Sequence, residues 1–268
     1  MWINKLYIVF FLILIIFQFC FADDIVSCNT TEDCYISTSD LKIWLDHPDL
    51  AIVDIRPEED FKRIRIESSL NIPAYSLRTK SYLRNKKVLL VEKPYLQSKL
   101  GKICIDLRKL GFTNVKTLKN GLLDWKNSKN KLIGEDLDKQ KLRMISVRDF
   151  FSEAYYRPWL LIDTTDSASQ IKELEGVEFQ SLPLSKTKKD FKRQLLASIT
   201  EVLARKPGIS VAVSSENNSA ELKSIVESIG FLDLFIIEGG REAIDSYLKD
   251  NQELLTHLRY KAESQQCR

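Results

Sequence analysis

Residues 87–125 read KVLLVEKPYLQSKLGKICIDLRKLGFTNVKTLKNGLLDW, and this stretch decides the fold. The apolar run Val88–Val91 predicts a short buried strand, which a polar loop follows. Apolar residues then recur at helical spacing, which predicts a helix closed by Gly111. A strand, a loop and a helix in this order surround the loop with backbone N–H groups, and these form a natural cradle for an anion.

A second strand and helix precede this stretch. The run Leu50–Ile55 predicts a strand that ends near Asp54, and a short helical segment is expected to start at Glu58. Further upstream, Ser37 or Thr38 can cap another short helix. This alternation of strands and helices predicts an α/β fold with a mainly parallel central sheet flanked by helices.

Landmarks of the first half return in the second half at nearly constant spacing. Two pairs are 109 residues apart and two pairs are 119 apart: Ile36 with Ile145, Asp54 with Asp163, Gly111 with Gly230, and Gly121 with Gly240. Such regular spacing indicates an internal duplication. Extra residues are expected in the second copy between Leu184 and Ser210.

Six segments are predicted along the chain. They are a signal peptide (1–22), an N-terminal segment with Cys28 and Cys34 (23–35), a first domain (36–128), a linker (129–143), a second, degenerate domain (144–249) and a C-terminal helical tail (250–268). The linker is assigned because its residues are polar and lack a strong apolar period.

The first 22 residues are typical of a secretory signal. Lys5 supplies the positive charge, Leu6–Phe19 is an apolar run, and cleavage is expected after Ala22. The mature chain would then be secreted or periplasmic, with no stable membrane span. The alternative is a membrane anchor formed by an uncleaved N-terminal segment, since the run is near the lower length limit for spanning.

Four cysteines remain after this cleavage, and an oxidising compartment would allow them to pair. Cys28 and Cys34 enclose a short polar segment and are the predicted disulfide, with Cys267 as a competitor. Cys104 lies on the apolar face of the predicted helix and is expected to act as a small core residue. The sequence has only two histidines, in unrelated contexts, so neither a metal nor a cofactor is expected.

Composition limits the partners of the chain. Apolar residues make up 44% and charged residues 29%, as in ordinary globular proteins. The 40 basic and 37 acidic residues are interspersed, whereas a nucleic-acid-binding protein needs a clustered basic face. Nucleic acid is therefore not expected as a partner, and an unknown protein or a small anionic ligand remains. The oligomeric state stays open.

Several residues form a frame that resembles a known family. The frame comprises Asp54, Arg56, Glu59, Phe61, Gly111, Gly121 and Trp125 in the first copy, and Asp163, Gly230, Gly239 and Gly240 in the second. It resembles the rhodanese (sulfurtransferase) domain, and the duplication resembles two-domain rhodaneses. The family's central Gly-His-Ile segment is not matched, because residues 64–69 stand in its place. The resemblance implies two tandem rhodanese-like domains.

The resemblance also implies where the chemistry of the family would lie. A cysteine that begins the loop after the central strand would carry sulfur as a persulfide, stabilised by loop N–H groups. No cysteine occupies the matching positions, which are Glu92, Lys93 and Pro94 in the first copy and Val213 and Ser214 in the second. A serine hydroxyl is too weakly acidic to replace a thiolate without a general base.

Two functions follow from these substitutions. The first is a catalytically inactive rhodanese-like protein that acts in binding or scaffolding. The alternative is a thiol-based sulfur carrier or redox protein that uses Cys28, Cys34 or Cys267.

Overall fold

The computed structural model describes residues 32–36, 38–136, 139, 141–165, 176–184, 187–216, 220–231 and 233–251. These residues form two five-stranded sheets in which all pairings are parallel, and one two-stranded antiparallel sheet. The parts of the chain that carry the first and the second parallel sheet are called unit 1 and unit 2. The predicted α/β class and the two repeated units are confirmed.

Unit 1 alternates strands with helices. Its strands are β1 (Tyr35–Ile36), β2 (Leu50–Asp54), β3 (Ile64–Ile66), β4 (Leu70–Asn71), β5 (Lys87–Val91), β6 (Asn114–Leu118) and β7 (Leu132–Gly134). Its α-helices are α1 (Thr38–Leu45), α2 (Glu58–Arg63), α3 (Ala74–Leu77), α4 (Gln97–Lys109) and α5 (Gly121–Asn127). The parallel sheet has the order β1-β6-β5-β2-β4, while β3 pairs with β7.

Unit 2 repeats this arrangement. Its strands are β8 (Met144–Ile145), β9 (Trp159–Asp163), β10 (Val177–Ser181), β11 (Ser210–Ser214) and β12 (Leu234–Ile237). Its described α-helices are α6 (Val147–Ala154), α7 (Lys188–Arg205), α8 (Ala220–Ile229) and α9 (Gly240–Asp250). The sheet order is β10-β9-β11-β12-β8, which is the order of unit 1 read from the opposite edge.

The extra residues of the second copy form helix α7. Unit 1 connects β4 to β5 with the short helix α3 and a 3₁₀ turn at Ser81–Leu83, whereas unit 2 connects β10 to β11 through 18 helical residues. Thr187 caps this helix by accepting a hydrogen bond from the backbone N–H of Asp190. Its apolar residues pack on the same face of the sheet as helix α8.

Strand β5 explains why the sequence contains an uninterrupted apolar run. All four residues Val88–Val91 are completely buried, because a central parallel strand is covered by helices on both faces. Val88 and Leu90 join the apolar cluster beneath α4, while Leu89 and Val91 join the cluster on the other face. That second cluster continues into unit 2, so the two units share apolar packing.

The predicted disulfide is corrected by the structure. Cys34 is bonded to Cys104, which lies 70 positions further along the sequence, and their Cα–Cα distance is 6.1 Å. Cys34 therefore cannot pair with Cys28, and Cys104 is a buried half-cystine as well as a core residue. The reason is topological: Cys34 immediately precedes β1, β1 pairs with β6, and α4 packs against β6. Cys28 lies outside the described residues.

The structure also bears on the predicted end of helix α4 and on the predicted linker. Helix α4 ends at Lys109, and the backbone N–H of Gly111, whose φ is +89°, donates to the carbonyl of Arg108, as expected for a helix-ending glycine. The predicted linker 129–143 contains β7, which pairs with β3.

The signal segment 1–22, Cys267 and residues 252–268 of the predicted tail lie outside the described residues. Within the described residues, no helix combines the length and apolar character needed to cross a membrane.

Candidate functional site

The loop after β5 is the place where the family resemblance puts a nucleophile. Val91, the last residue of β5, pairs with Asp54 of β2, so Glu92 is the first residue beyond the sheet. Gly121 is required opposite this point, because a Cβ there would collide with the carbonyl oxygen of Glu92. The close approach holds the start of helix α5 against the loop.

The carboxylate of Glu92 turns back into this loop. Glu92 is 2% exposed, and its Oε1 accepts a hydrogen bond of 3.0 Å from the backbone N–H of Lys93. Its Oε2 lies 3.4 Å from Nζ of Lys99, on the first turn of α4. Pro94 is buried and has no N–H to offer. The protein's own carboxylate therefore uses a donor that the predicted cradle would offer to an anion.

The equivalent position in unit 2 differs from the predicted one. Ser214 pairs with Asp163 in the sheet, as Val91 pairs with Asp54, so Val213 and Ser214 are strand residues. The counterpart of Glu92 is therefore Ser215, and a Cβ at Gly240 would collide with its carbonyl oxygen. The predicted positions were too early because the strand ends with a serine instead of an apolar residue.

The frame residues of unit 1 mainly support the end of β2. Arg56 pairs with Asp54 at 2.6 Å, and its Nη2 also donates to the carbonyl of Ile64. The side-chain amide of Asn71 donates to the carbonyls of Asp54 and Arg56. Trp125 donates from Nε1 to the carbonyl of Lys131. These contacts fix the strand ends that surround the loop.

Two frame residues of unit 1 lie on helix α2, away from the buried ion pair. Glu59 is exposed, and Phe61 is half-buried beneath the guanidinium of Arg65, whose Cζ lies 5.5 Å from the ring centroid. Both residues belong to the surface of the helix that follows β2. The structure gives neither of them a contact with Glu92.

Unit 2 replaces the arginine of the frame with one from another element. Thr165 stands where unit 1 has Arg56, and the buried carboxylate of Asp163 is paired with Arg241 of helix α9 at 2.5 Å. Thr165 and Ser214 donate their hydroxyls to the same carboxylate. Sequence reasoning missed Arg241, although a buried aspartate without its neighbouring arginine signals that another cation must be near.

The remaining frame glycines of unit 2 are backbone features. Gly230 (φ +74°) follows helix α8, and Gly239 (φ +75°) precedes helix α9, so both adopt a conformation that favours glycine. They shape the turns on either side of β12.

The loop of unit 1 and the first turn of α4 are packed against unit 2. The hydroxyl of Tyr95 donates to Asp149 of helix α6 at 2.9 Å, and its ring meets Phe235 edge-on. Ser98 donates to Glu153 at 2.7 Å. Arg157 donates from Nη2 to the carbonyl of Tyr95 at 2.9 Å. Sequence reasoning missed the role of these four unit 2 residues, because nothing near them in sequence marks them as partners of unit 1.

This interface carries buried charge. Nε of Arg157 lies 3.3 Å from Oε2 of Glu153, close enough for an ion pair, although these two atoms lack hydrogen-bonding geometry. Burial lowers the pKa of Arg157 and raises the pKa of Glu153. Burial, followed by the neighbouring Asp149 carboxylate, raises the pKa of Tyr95. Tyr95 is therefore a neutral hydrogen-bond donor at this interface.

Gln97 forms a second link between the units. Its side-chain amide donates to Asp233 of unit 2 at 2.9 Å and also to Asn120, which precedes helix α5. Its backbone carbonyl accepts a hydrogen bond of 2.6 Å from the hydroxyl of Tyr35. One residue at the start of α4 thus contacts the N-terminal strand, the α5 turn and unit 2.

A cleft of about 230 Å³ lies beside the loop. Its lining residues come from both halves of the chain and include four cations and two carboxylates: Arg56, Arg63, Lys93, Lys141, Asp60 and Glu238. In the part of the chain that the structure describes, no group of three or more His, Cys, Asp or Glu side chains could hold a metal ion.

Comparison with known proteins identifies the first unit. The family model of the rhodanese-like domain matches residues 37–128. This part of the chain is a rhodanese-like domain. Unit 2 has the same strand order as this domain, so the architecture of the matched unit is repeated in the second half of the chain. None of the curated proteins matches the chain in sequence.

Solved structures similar to the chain include sulfurtransferases. A thiosulfate sulfurtransferase from Pseudomonas aeruginosa is 16% identical, with 76% of this chain aligned to 41% of that one and a TM-score of 0.31. The 3-mercaptopyruvate sulfotransferase SseA from Escherichia coli is 13% identical, with 77% and 98% covered and a TM-score of 0.29. The Alr3790 protein from Anabaena is 20% identical, with 44% and 90% covered and a TM-score of 0.32.

Proposed function

We propose that this tandem rhodanese-like protein does not transfer sulfur through its strand-end loops and acts by binding. The observation that carries the proposal is the position of Glu92. It occupies the first place after β5, is buried, and accepts the N–H of Lys93 with its own carboxylate. A substrate anion would meet a negative charge where the family requires a thiolate nucleophile.

The chemistry of both loops supports this proposal. A persulfide forms when a thiolate attacks a sulfane sulfur, and a carboxylate oxygen cannot hold sulfur in that way. In unit 2 the corresponding residue is Ser215, and a serine hydroxyl is a weak nucleophile unless a base removes its proton. The preceding residue, Ser214, donates its hydroxyl to Asp163, and that carboxylate is already paired with Arg241.

The disulfide bears on the alternative function and on the compartment. Cys34 is joined to Cys104, and both are completely buried, so Cys34 has no free thiol with which to carry sulfur. A buried disulfide of this kind suits an oxidising environment, which agrees with the secretory signal predicted for residues 1–22. We therefore place the mature protein outside the cytosol, secreted or periplasmic.

A thiosulfate and cyanide assay tests the catalytic part of the proposal. The purified chain should form no thiocyanate above the rate without protein, while an active thiosulfate sulfurtransferase serves as the positive control. Thiocyanate formation that disappears after thiol alkylation would overturn the binding role in favour of the thiol-based alternative, because neither loop contains a cysteine. In that event the Cys28→Ser and Cys267→Ser variants would show which thiol carries the sulfur.

A further inference from the structure

We propose that an open sheet edge in unit 1 binds an extended segment of a partner protein, and this inference rests on the proposed binding role because it names the class of partner. Strand β5 pairs with all five residues of β2, whereas β4, on the other side of β2, pairs only with Val53 and Asp54. Residues 50–52 therefore have a strand neighbour on one side only. An open strand edge is a place where another chain can add a strand.

Unit 2 shows what fills the equivalent place. Strand β9, the counterpart of β2, is paired along all five of its residues with β10. The last two of these pairs correspond to the two pairs between β2 and β4. The first three places of β10 hold Val177, Glu178 and Phe179, and β4 has no counterpart of them. The open edge of unit 1 therefore has room for three strand residues, a length of roughly 10 Å.

The backbone of β2 offers an acceptor and a donor on this side. The carbonyl of Asp54 accepts the N–H of Ile72, so Asp54 faces β4. Alternate residues of a parallel strand face the same neighbour, and Leu50 and Ile52 therefore face the open side. The N–H of Leu50 donates to the carbonyl of His47. Among the described residues, this leaves the carbonyl of Leu50 and the N–H of Ile52 for an added strand.

A groove of about 550 Å³ lies along this edge. Of its lining residues, Ile66 and Trp125 belong to the apolar cluster on one face of the sheet, while Ala51 and Leu83 belong to the cluster on the other face. Tyr82 also lines the groove and is exposed. An added strand would point its side chains alternately to these two faces, so both faces can hold part of it.

Strand β10 indicates which side chains suit the two faces. Val177 and Phe179 pack against the apolar cluster on one face of the unit 2 sheet. Glu178 lies between them and pairs with Arg205 at 2.9 Å and with Lys206 at 2.8 Å. The first and third places of the missing segment are therefore apolar, and the middle place carries an acid.

Lys86 supplies the matching positive charge in unit 1. It lines the groove, and its ammonium has no ion pair within the described residues, whereas Lys131 lies 4.0 Å from Glu67. Lys86 precedes β5 by one residue, and Val88 belongs to the same apolar cluster as Ala51. The alternation of β5 thus places Lys86 on the face that the middle residue of an added strand would meet. The partner segment is apolar, acidic and apolar in sequence.

Nuclear magnetic resonance titration of the ¹⁵N-labelled chain tests the site. The probe is the peptide Gly-Val-Glu-Phe with both ends capped, which copies residues 176–179 and stops there because Leu70 holds the next place beside β2. Saturable shifts are expected for the amide signals of residues 50–52. Absence of saturable binding would overturn the proposal.

A modified peptide tests whether the segment binds as a strand. An N-methyl group on the glutamate of the probe removes the N–H that would donate to the carbonyl of Leu50. This peptide should bind about tenfold more weakly than the unmodified one, because the loss leaves the carbonyl without its partner. Equal affinities of the two peptides would contradict strand addition.

Charge reversal tests the role of Lys86. Lys86→Glu should weaken the binding of Gly-Val-Glu-Phe about tenfold and should strengthen that of Gly-Val-Lys-Phe, since an attraction becomes a repulsion and the reverse. Lys109→Glu is the matched control, because Lys109 is exposed at the end of α4 and does not line the groove. An unchanged preference of Lys86→Glu for the acidic peptide would show that Lys86 does not select the partner.

A second copy of the chain is the competing occupant. Sedimentation velocity of the wild-type chain and of Lys86→Glu separates the two cases. A wild-type dimer that Lys86→Glu abolishes would assign the edge to a second copy and overturn the proposal. A wild-type chain that sediments as a monomer and binds the probe supports a different protein as the partner.

The outcome is separate from that of the thiosulfate assay. Peptide binding together with thiocyanate formation would overturn catalytic silence and leave the edge site standing. Absence of both would overturn the edge site and leave catalytic silence standing.

Discussion

Each unit buries an aspartate at the end of its second strand, but the two aspartates obtain their cation from different elements. Asp54 uses Arg56, two residues along the chain, whereas Asp163 uses Arg241, 78 residues away on helix α9. The physical requirement is the same in both units, because a buried carboxylate without a cation is costly. Both copies have thus kept a buried ion pair, but a different position supplies the arginine in each copy.

Removing the cation of Arg241 should therefore destabilise the protein. We expect Arg241→Met to lower the free energy of unfolding by about 3 kcal/mol, since it leaves a buried carboxylate unpaired. Urea unfolding measures this change. A second change, Thr165→Arg, recreates the spacing of unit 1 and should restore part of the loss. A loss in Arg241→Met of less than about 1 kcal/mol, the range of an exposed ion pair, would contradict the assignment.

At the scale of elements, the N-terminal strand and helix α4 are fastened to each other. The Cys34–Cys104 disulfide joins the residue before β1 to the middle of α4. The carbonyl of Cys34 also accepts a hydrogen bond from the Thr117 hydroxyl of β6. A two-residue edge strand has few ladder hydrogen bonds, so these contacts hold it in the sheet.

The disulfide is expected to contribute strongly to stability. Closing a loop of 70 residues corresponds to about 4 kcal/mol in the chain-entropy estimate. The paired variant Cys34→Ala/Cys104→Ala should unfold at a lower urea concentration than the wild-type chain. Its free energy of unfolding should be lower by about 4 kcal/mol. Reductant should destabilise the wild-type chain and leave the paired variant unchanged. Equal unfolding midpoints of the wild-type chain with and without reductant would count against the bond.

Helix α6 should give the interface a measurable pH dependence. Burial raises the pKa of Glu153 above its ordinary value of 4.5, so the folded state binds this proton more tightly than the unfolded state. The contribution of Glu153 to stability is therefore largest at low pH and falls as pH rises from about 4.5 through the folded-state pKa.

Comparison with Glu153→Gln isolates this effect, because the amide does not titrate. The stability of the wild-type chain relative to the variant should decrease as pH rises, in urea unfolding series between about pH 4 and pH 7. A constant or rising difference would show that the pKa of Glu153 is not raised. The same series with Glu59→Gln, an exposed residue of α2, serves as the control.

At the scale of the whole molecule, the two units are joined through the loop after β5 and the first residues of α4. Tyr95, Gln97 and Ser98 all contact unit 2, and the apolar cluster that contains Tyr95 continues into its sheet. Separating the units would expose this cluster and remove the hydrogen bonds that Glu153 forms with Ser98 and Arg157 forms with the carbonyl of Tyr95. The loop thus has a structural role in holding the units together.

The units should consequently unfold together. Calorimetry of the wild-type chain is expected to show one transition whose calorimetric and van't Hoff enthalpies agree. Tyr95→Ala should lower the midpoint, because it removes a buried ring as well as the hydrogen bond to Asp149. Two resolved transitions in the wild-type chain would show that the interface does not couple the units.

Local pattern was a sound guide to the elements of the fold. The apolar run at Val88–Val91, the helix that ends before Gly111 and the repeated spacing of Asp54 and Asp163 are properties of neighbouring residues or of regular spacing. Ser214 shows where this guide fails: a polar residue ends strand β11, so the sequence pattern placed the end of the strand too early.

The sequence by itself determined the α/β class, the duplication and the absence of a cysteine after the central strand, because these depend on residue type and periodicity. Only the tertiary structure decided that Cys34 pairs with Cys104, that Arg241 serves Asp163, and that the loop around Tyr95 meets Asp149. These partners are separated by 70, 78 and 54 residues. Contacts of that kind depend on the strand order of each sheet and on how the two units pack together. Local sequence patterns predict neither of these.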